Sequence, residues 1–432
     1  MSTVQLERPG LTRVAQLRHT TPGRLQLTLF GLLALGLLTG LLVFVTANQT
    51  RSGTDDLGDR AQPLLVEAET IYSALADADT TAAQAFLAGG LEPADLTRQY
   101  EDDLTRVSTA LTAAARRTPE GSEPAESIRA LSTGVTRYAA LVASARANNR
   151  QGMPVGSAYL SQASALNRET LQPQAQALFR IAEQETDRGY GSAKSTAFVV
   201  LYALLLISLT IALIHTQVRL SRSTKRTFNI PLACATALTL LLGLISTGVL
   251  VAQRNHLGDA DSEGSTPVAL LAQARIFALR ERGDEALTLA ARGNGAQYEQ
   301  DFDTASQRLS GPNGLLAVAA GAVDGPAGQW VRSAMRKHDI YVGIHEEVRA
   351  KDESGDHDGA VDLAIGADTS ATFRGLTDDI GRALEDRKNA FDREIDAAGR
   401  GLGSLTVLGP LLALAVCALA ILGLRPRLEE YR

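Results

Sequence analysis

Four apolar runs, at about 25–47, 195–217, 228–252 and 404–424, recur along this chain, and none contains Asp, Glu, Lys or Arg. A helix rises 1.5 Å per residue and a hydrocarbon core takes ~20 residues to cross, so each run predicts a membrane-spanning helix. The first run ends in Val45-Thr46-Ala47, the kind of small-residue stretch that signal peptidase cuts. Its length exceeds the ~7–15 residues of a signal h-region, so it reads as an uncleaved anchor.

Between the runs the apolar positions change to helical spacing. Residues 48–194 carry four stripes: Leu64, Ala68, Ile71 and Leu75; Leu96, Tyr100, Leu104 and Val107; Ile128, Leu131, Val135 and Tyr138; and Leu160, Ala163, Leu171 and Leu178. Residues 253–403 repeat the scheme, most clearly in Phe373, Leu376, Ile380, Leu384, Phe391 and Ile395, a stripe interrupted by Arg387. Four amphipathic helices with short connectors predict an up-and-down bundle in each segment. The connectors 112–125 and 310–328, rich in Gly, Ala and Pro, are expected to fold back toward the membrane. The expected fold is all-α: four transmembrane helices carrying two duplicated extracytoplasmic helical bundles.

The duplication is read from an offset of about 200 residues. Leu35-Gly36-Leu37-Leu38 faces Leu242-Gly243-Leu244-Ile245, and Gln99-Tyr100-Glu101-Asp102-Asp103-Leu104 faces Gln297-Tyr298-Glu299-Gln300-Asp301-Phe302. Tyr138, Arg146 and Gly152 face Tyr341, Arg349 and Gly355. Several matches in the same order, bracketed by equivalent spans, predict that one span-bundle-span unit was copied.

Charge then fixes an orientation. The tail 1–24, the connector 218–227 and the tail 425–432 hold eleven basic and three acidic residues, whereas 48–194 and 253–403 sum to −5 and −9. The positive-inside rule places the three basic pieces in the cytoplasm and both bundles outside. The chain is therefore expected to be a multi-pass plasma-membrane protein with both termini cytoplasmic.

Chemistry-bearing motifs are few. There is no phosphate loop, nucleophile elbow or kinase signature, and no enzyme, cofactor, metal site or nucleic-acid partner is expected. His338 and His345 lie seven apart on one helix, too far for an i, i+4 metal pair. The acidic run 352–359 lacks the spacing of a calcium loop and reads as a solvated turn or a docking surface. Cys234 and Cys417 fall inside spans and read as small packing residues. Gly36 and Gly40 form a small-residue pair that permits close helix contact. Glycines at 189, 191, 399, 401 and 403 mark either hinges or ordinary helix breaks at the returns to the membrane.

The repeated Gln-Tyr-Glu segment has two readings. Tyr100 and Tyr298 fit the apolar stripes as core residues, while Glu101, Asp103, Glu299 and Asp301 could form equivalent acidic faces for a partner. Asp79 and Asp284 also align, as helix-surface charges or as part of such a face. On the inner side, Arg219, Arg222, Lys225 and Arg226 are the candidate relay residues. Spans without ionisable groups make a poor carrier. About 40 cytoplasmic residues leave no room for an output domain, so a sensor of this plan would hand its signal to a separate protein.

With these features the chain resembles the GlnX family, four-span actinobacterial membrane proteins that act with a solute-binding lipoprotein, GlnH, and a soluble Ser/Thr kinase, PknG. The resemblance rests on the duplicated span-bundle-span plan, the Gln-Tyr-Glu-x-Asp repeat and the abrupt ending Leu424-Arg425-Pro426-Arg427-Leu428-Glu429-Glu430-Tyr431-Arg432. It implies a non-enzymatic relay. Aspartate or glutamate would be detected by the lipoprotein, and the kinase controlling carbon and nitrogen flux would read the result, directly or through another protein. The alternatives are a structural envelope scaffold, or a direct small-ligand sensor using the bundles. Membrane lipid is an expected contact and a homo-oligomer is possible.

Overall fold

The structure is a computed structural model that describes residues 21–89, 92–194, 196–224, 229–293 and 295–429. Among these residues the chain is helical and contains no strand. Four helices are long and apolar enough to cross a membrane. They contain, in chain order, α1 (Thr21–Asp56), α7 (Ala197–Thr224), α8 (Ile230–Asp259) and α15 (Leu402–Glu429). The remaining helices are α2 (Gln62–Leu87), α3 (Ala94–Arg117), α4 (Glu123–Arg150), α5 (Val155–Leu166) and α6 (Gln172–Ala193), then α9 (Thr266–Ala290), α10 (Ala296–Ser310), α11 (Leu315–Ala322), α12 (Gly325–Glu353), α13 (His357–Ile365) and α14 (Ala367–Gly399).

The chain divides into two compact units, one holding the four apolar helices and the other made of Asp56–Gly189 and Gly258–Ile395. In the first, Leu32, Leu209, Leu213, Leu232, Ala235, Val416, Ala420 and Leu424 share one apolar core. The Gly36 and Gly40 pair faces α15: a Cβ at Gly36 would stand 2.5 Å from Cys417 Sγ, and one at Gly40 2.9 Å from Ala413 Cβ. Many hydroxyls in this unit bond within their own helix, as Thr239 does to the Ala235 carbonyl (2.8 Å), but side-chain amides bond across helices. Gln217 Nε2 donates to Thr236 Oγ1 (2.7 Å) and Asn229 Nδ2 to the Gly423 carbonyl (2.7 Å). Among the described residues, apart from Met153, Val155, Val318 and Ile340, the exposed large apolar side chains all lie on α1, α7, α8 and α15. An apolar belt of this extent would aggregate in water, and lipid is the solvent that suits it.

In the second unit the two sequence segments do not form separate bundles. α2 packs on α3, α9 packs on α10, and α2 and α9 pack on each other, so one apolar core runs through both halves. Being central, α2 and α9 are buried around most of their circumference, polar residues included. The first half has the four expected helices, with α5 and α6 joined as the fourth. The second half differs from expectation in the connector 310–328, where Leu315–Ala322 forms α11 and packs against α12.

Three π-helical turns interrupt the α-helices, at Leu57–Ala61, Asn167–Leu171 and Ala260–Ser265. Each is followed two residues later by a proline: Pro63, Pro173 and Pro267. A proline ring collides with the carbonyl four residues back and offers no N–H, and widening the preceding turn lets the helix continue past it. Gly23–Leu87 and Ile230–Ala290 accordingly each run as one helix. Gly189 and Gly191 lie inside α6 rather than at a break, whereas Gly401, with φ +86°, separates α14 from α15.

Candidate functional site

The most concentrated buried charge that joins the halves is built around Arg168. This residue sits on the second π turn, whose extra width turns it out of the stripe of α5 and toward α2 and α9. The neighbouring Asn167 fixes the turn by donating from Nδ2 to the Leu75 carbonyl at 2.8 Å. Arg168 Nε donates to Asp79 Oδ2 on α2 (3.1 Å), and Nη1 donates to Asp284 Oδ1 on α9. Asp79 Oδ1 also accepts from Ser164 Oγ (2.8 Å) and from the Tyr138 hydroxyl (3.4 Å). The guanidinium lies 5.7 Å from the centre of the Tyr298 ring.

Close approach of the helices makes this possible. Thr80 Oγ1 donates across to the Leu279 carbonyl at 2.9 Å. Opposite it, a Cβ on Gly283 would stand 2.8 Å from Arg168 Nη2 and 3.0 Å from Thr80 Oγ1, so this position takes glycine. Burial pulls the Arg168 guanidinium down, but Asp284 and Asp79 outweigh it and the net shift is upward. Burial raises Asp284 to about 6, against the pull of Arg168. Arg168 thus stays charged while one of its partners is held near the edge of ionisation.

The second half adds its own buried pairs. His338 Nε2 meets Glu281 Oε1 at 2.9 Å, and His345 lies between Glu285 Oε2 (3.0 Å, through Nδ1) and Glu299 Oε1 (3.1 Å, through Nε2). Arg282 Nη1 donates to Glu285 Oε1 at 2.7 Å, and its Nη2 to the Ala364 carbonyl at 2.8 Å. The His345 ring stacks on Phe302 with centroids 3.6 Å apart. Burial lowers the His345 imidazole, yet its bonds to Glu285 and Glu299 carry it up to about 9.

The residues singled out from sequence fall in different places. Asp79 and Asp284 are buried and share Arg168, so they are not helix-surface charges. Tyr298 is half-buried against the same arginine, and Tyr100 is buried near Tyr138, with ring centroids 6.4 Å apart. The acidic residues do not form two equivalent faces. Glu101 is exposed, Asp103 is buried and paired with Arg106, Glu299 is engaged by His345 and Arg349, and Asp301 accepts from Gln297 Nε2 at 3.2 Å. Arg219 and Arg222 are exposed near the end of α7, while Lys225 and Arg226 lie outside the described residues. The acidic run 352–359 is taken up by local roles: Asp356 caps α13 by accepting from Gly359 N–H (3.1 Å), and Asp352 pairs with Arg349 and His357. Arg387 pairs with Asp386.

Sequence reasoning missed Arg168, Glu281, Arg282 and Glu285. The one available signal was Pro173 just past Arg168, which marks a disturbed turn.

A family model described as an actinobacterial sensor domain matches residues 53–191. No curated protein and no solved structure matches the chain. The matched segment is the first half of the helical unit, and the match supports a sensing role for a protein of actinobacteria.

Proposed function

We propose that this chain is a transmembrane relay that takes a signal on the outer side and passes it to a separate cytoplasmic protein. The observation that carries the reading is the Arg168 clamp between α2 and α9. Each of these helices is the continuation of an apolar one, in the runs Gly23–Leu87 and Ile230–Ala290. In this proposal a shift of one central helix against the other breaks and re-forms that buried ion pair, and the arrangements before and after are the two states of the relay. Displacements of ~1–2 Å are a sufficient signalling scale.

The finer reading follows the resemblance to the GlnX family. The outer signal is a loaded amino-acid-binding lipoprotein, and the reader is a Ser/Thr kinase approached through Arg219, Arg222, Lys225 and Arg226. Duplication of one span-bundle-span unit is supported by the recurrent order of apolar helix, π turn and central helix in both halves. The signal is delivered by differential affinity for the two arrangements, since a ligand that binds both equally shifts neither.

Affinity capture of the full chain from detergent-solubilised membranes of its own cell tests the reading. Recovery of a solute-binding lipoprotein and loss of amino-acid-dependent kinase output on changing the four basic residues to Gln would support it. Recovery of wall or division proteins with unchanged kinase output would replace it with a scaffold.

A further inference from the structure

The two halves of the helical unit differ at one place in a way that leaves a cavity. In the second half α10 stops at Ser310, the run Gly311-Pro312-Asn313-Gly314 breaks the helix, and α11 packs onto α12. A Cβ on Gly314 would stand 2.6 Å from the Leu309 carbonyl, so the break needs glycine. Leu316, Ala319, Ala327 and Val331 are all fully buried there. In the first half α3 instead runs unbroken to Arg117, and between it and α4 lies an open groove of about 700 Å³.

The groove has a definite chemistry. Leu111, Ile128 and Val135 supply its apolar floor. Arg116 and Arg129 line it as cations, and among the described residues neither has an ion-pair partner. Glu120 is the single acid in the lining, leaving one excess positive charge. Thr112 spends its proton on the Ser108 carbonyl (2.9 Å), so its oxygen faces the groove as an acceptor. The volume falls within the ~300–1,000 Å³ of small-molecule sites.

We infer that this groove is a binding site for a small organic monoanion with an apolar body. Its carboxylate is held by Arg116 and Arg129 through charge-assisted hydrogen bonds, and its body covers Leu111, Ile128 and Val135. The ligand covers the apolar side chains of α4 in the first half much as α11 covers those of α12 in the second. The sensor-domain match covers 53–191, the half that carries the groove, and stops short of the half in which it is closed. The inference stands whatever protein partners the chain has.

The test is a ¹⁹F NMR titration of 4-(trifluoromethyl)phenylacetate against the full chain in lipid nanodiscs, with empty nanodiscs subtracted. Saturable binding is expected, weakened about tenfold or more by R116Q with R129Q. It should be abolished by Ser132→Trp, an exposed groove position whose change leaves the core alone, and unaffected by R336Q on α12. The neutral amide of the same shape should fail to compete. Absence of saturable binding, binding untouched by Ser132→Trp, or equal competition by the amide would each overturn the site.

Discussion

Arg168 reaches Asp284 across the boundary between the halves, and it does so only because a π turn redirects it and Gly283 leaves it room. Two carboxylates from the two central helices are thereby buried around one guanidinium.

Removing that guanidinium is expected to be costly. Arg168→Met leaves Asp79 and Asp284 buried without their cation, a loss of about 3–5 kcal/mol by analogy with broken buried pairs. Thermal unfolding of the purified full chain should show a large fall in midpoint. Adding Asp79→Asn and Asp284→Asn to Arg168→Met should recover much of it, because no uncompensated charge remains. A triple variant no better than the single one would show that the arginine acts by packing rather than by charge.

Two glycines should respond in opposite directions. Gly283→Leu forces apart Thr80 and Arg168, which a Cβ alone already crowds at 3.0 and 2.8 Å, and should destabilise by about 1–3 kcal/mol. Gly381, inside α14, has no atom within 4 Å of where a Cβ would stand, so Gly381→Ala should stabilise by up to about 1 kcal/mol through helix propensity. Unfolding midpoints of the two variants, one falling and one rising, check this.

Stability should fall as pH rises. Burial lifts Asp284 to about 6, and burial together with Asp77 lifts Asp103 to about 7 despite Arg106. His345, lowered by burial but raised further by Glu285 and Glu299, sits at about 9. A group whose folded value is raised contributes stability below its unfolded value and loses it as pH climbs through the folded one. Asp284 and Asp103 therefore weaken the fold from about pH 4 to 7, and His345 from about 6.5 to 9, the last on the order of 3 kcal/mol. His345→Gln should flatten the upper window and leave the lower one. Unfolding midpoints from pH 5 to 9 make the comparison.

Much of this architecture was legible because its signals are long and periodic. The four apolar runs, and stripes such as Ile128, Leu131, Val135 and Tyr138, appear as helices where their spacing placed them. What stayed hidden depended on tertiary position. Arg-Glu-Arg-Gly-Asp-Glu at 280–285 looks like a solvated helix surface, yet Glu281, Arg282, Asp284 and Glu285 are buried because α9 lies at the centre of the unit. Local sequence cannot report that a helix is enclosed by a neighbouring half. The alignment of Asp79 with Asp284 did point to the right pair, but not to Arg168, which lies on a different helix and reaches them through a change of register. α11 was hidden for a different reason: glycine and proline at 311–314 signal a turn, and the eight-residue helix after them is too short for periodicity to declare.

In the apolar unit, Gly36→Leu should push α1 away from Cys417 on α15, and Gly40→Leu away from Ala413. Either change replaces a close contact by a clash and should lower the unfolding midpoint, whereas Gly31→Leu, with open space around it, should not.

The proposed relay requires the helical unit to stand outside the membrane and the basic connector after α7 to lie on its cytoplasmic side. Its most direct test is labelling of intact cells with a membrane-impermeant maleimide, in a chain with Cys234 and Cys417 changed to Ala and a single cysteine placed at the exposed positions Ser157, Ser354 or Ser221. Labelling at Ser157→Cys and Ser354→Cys, with Ser221→Cys labelled only after the membrane is opened, is the result expected. Labelling of Ser221→Cys from outside, with the other two protected until lysis, would contradict the account.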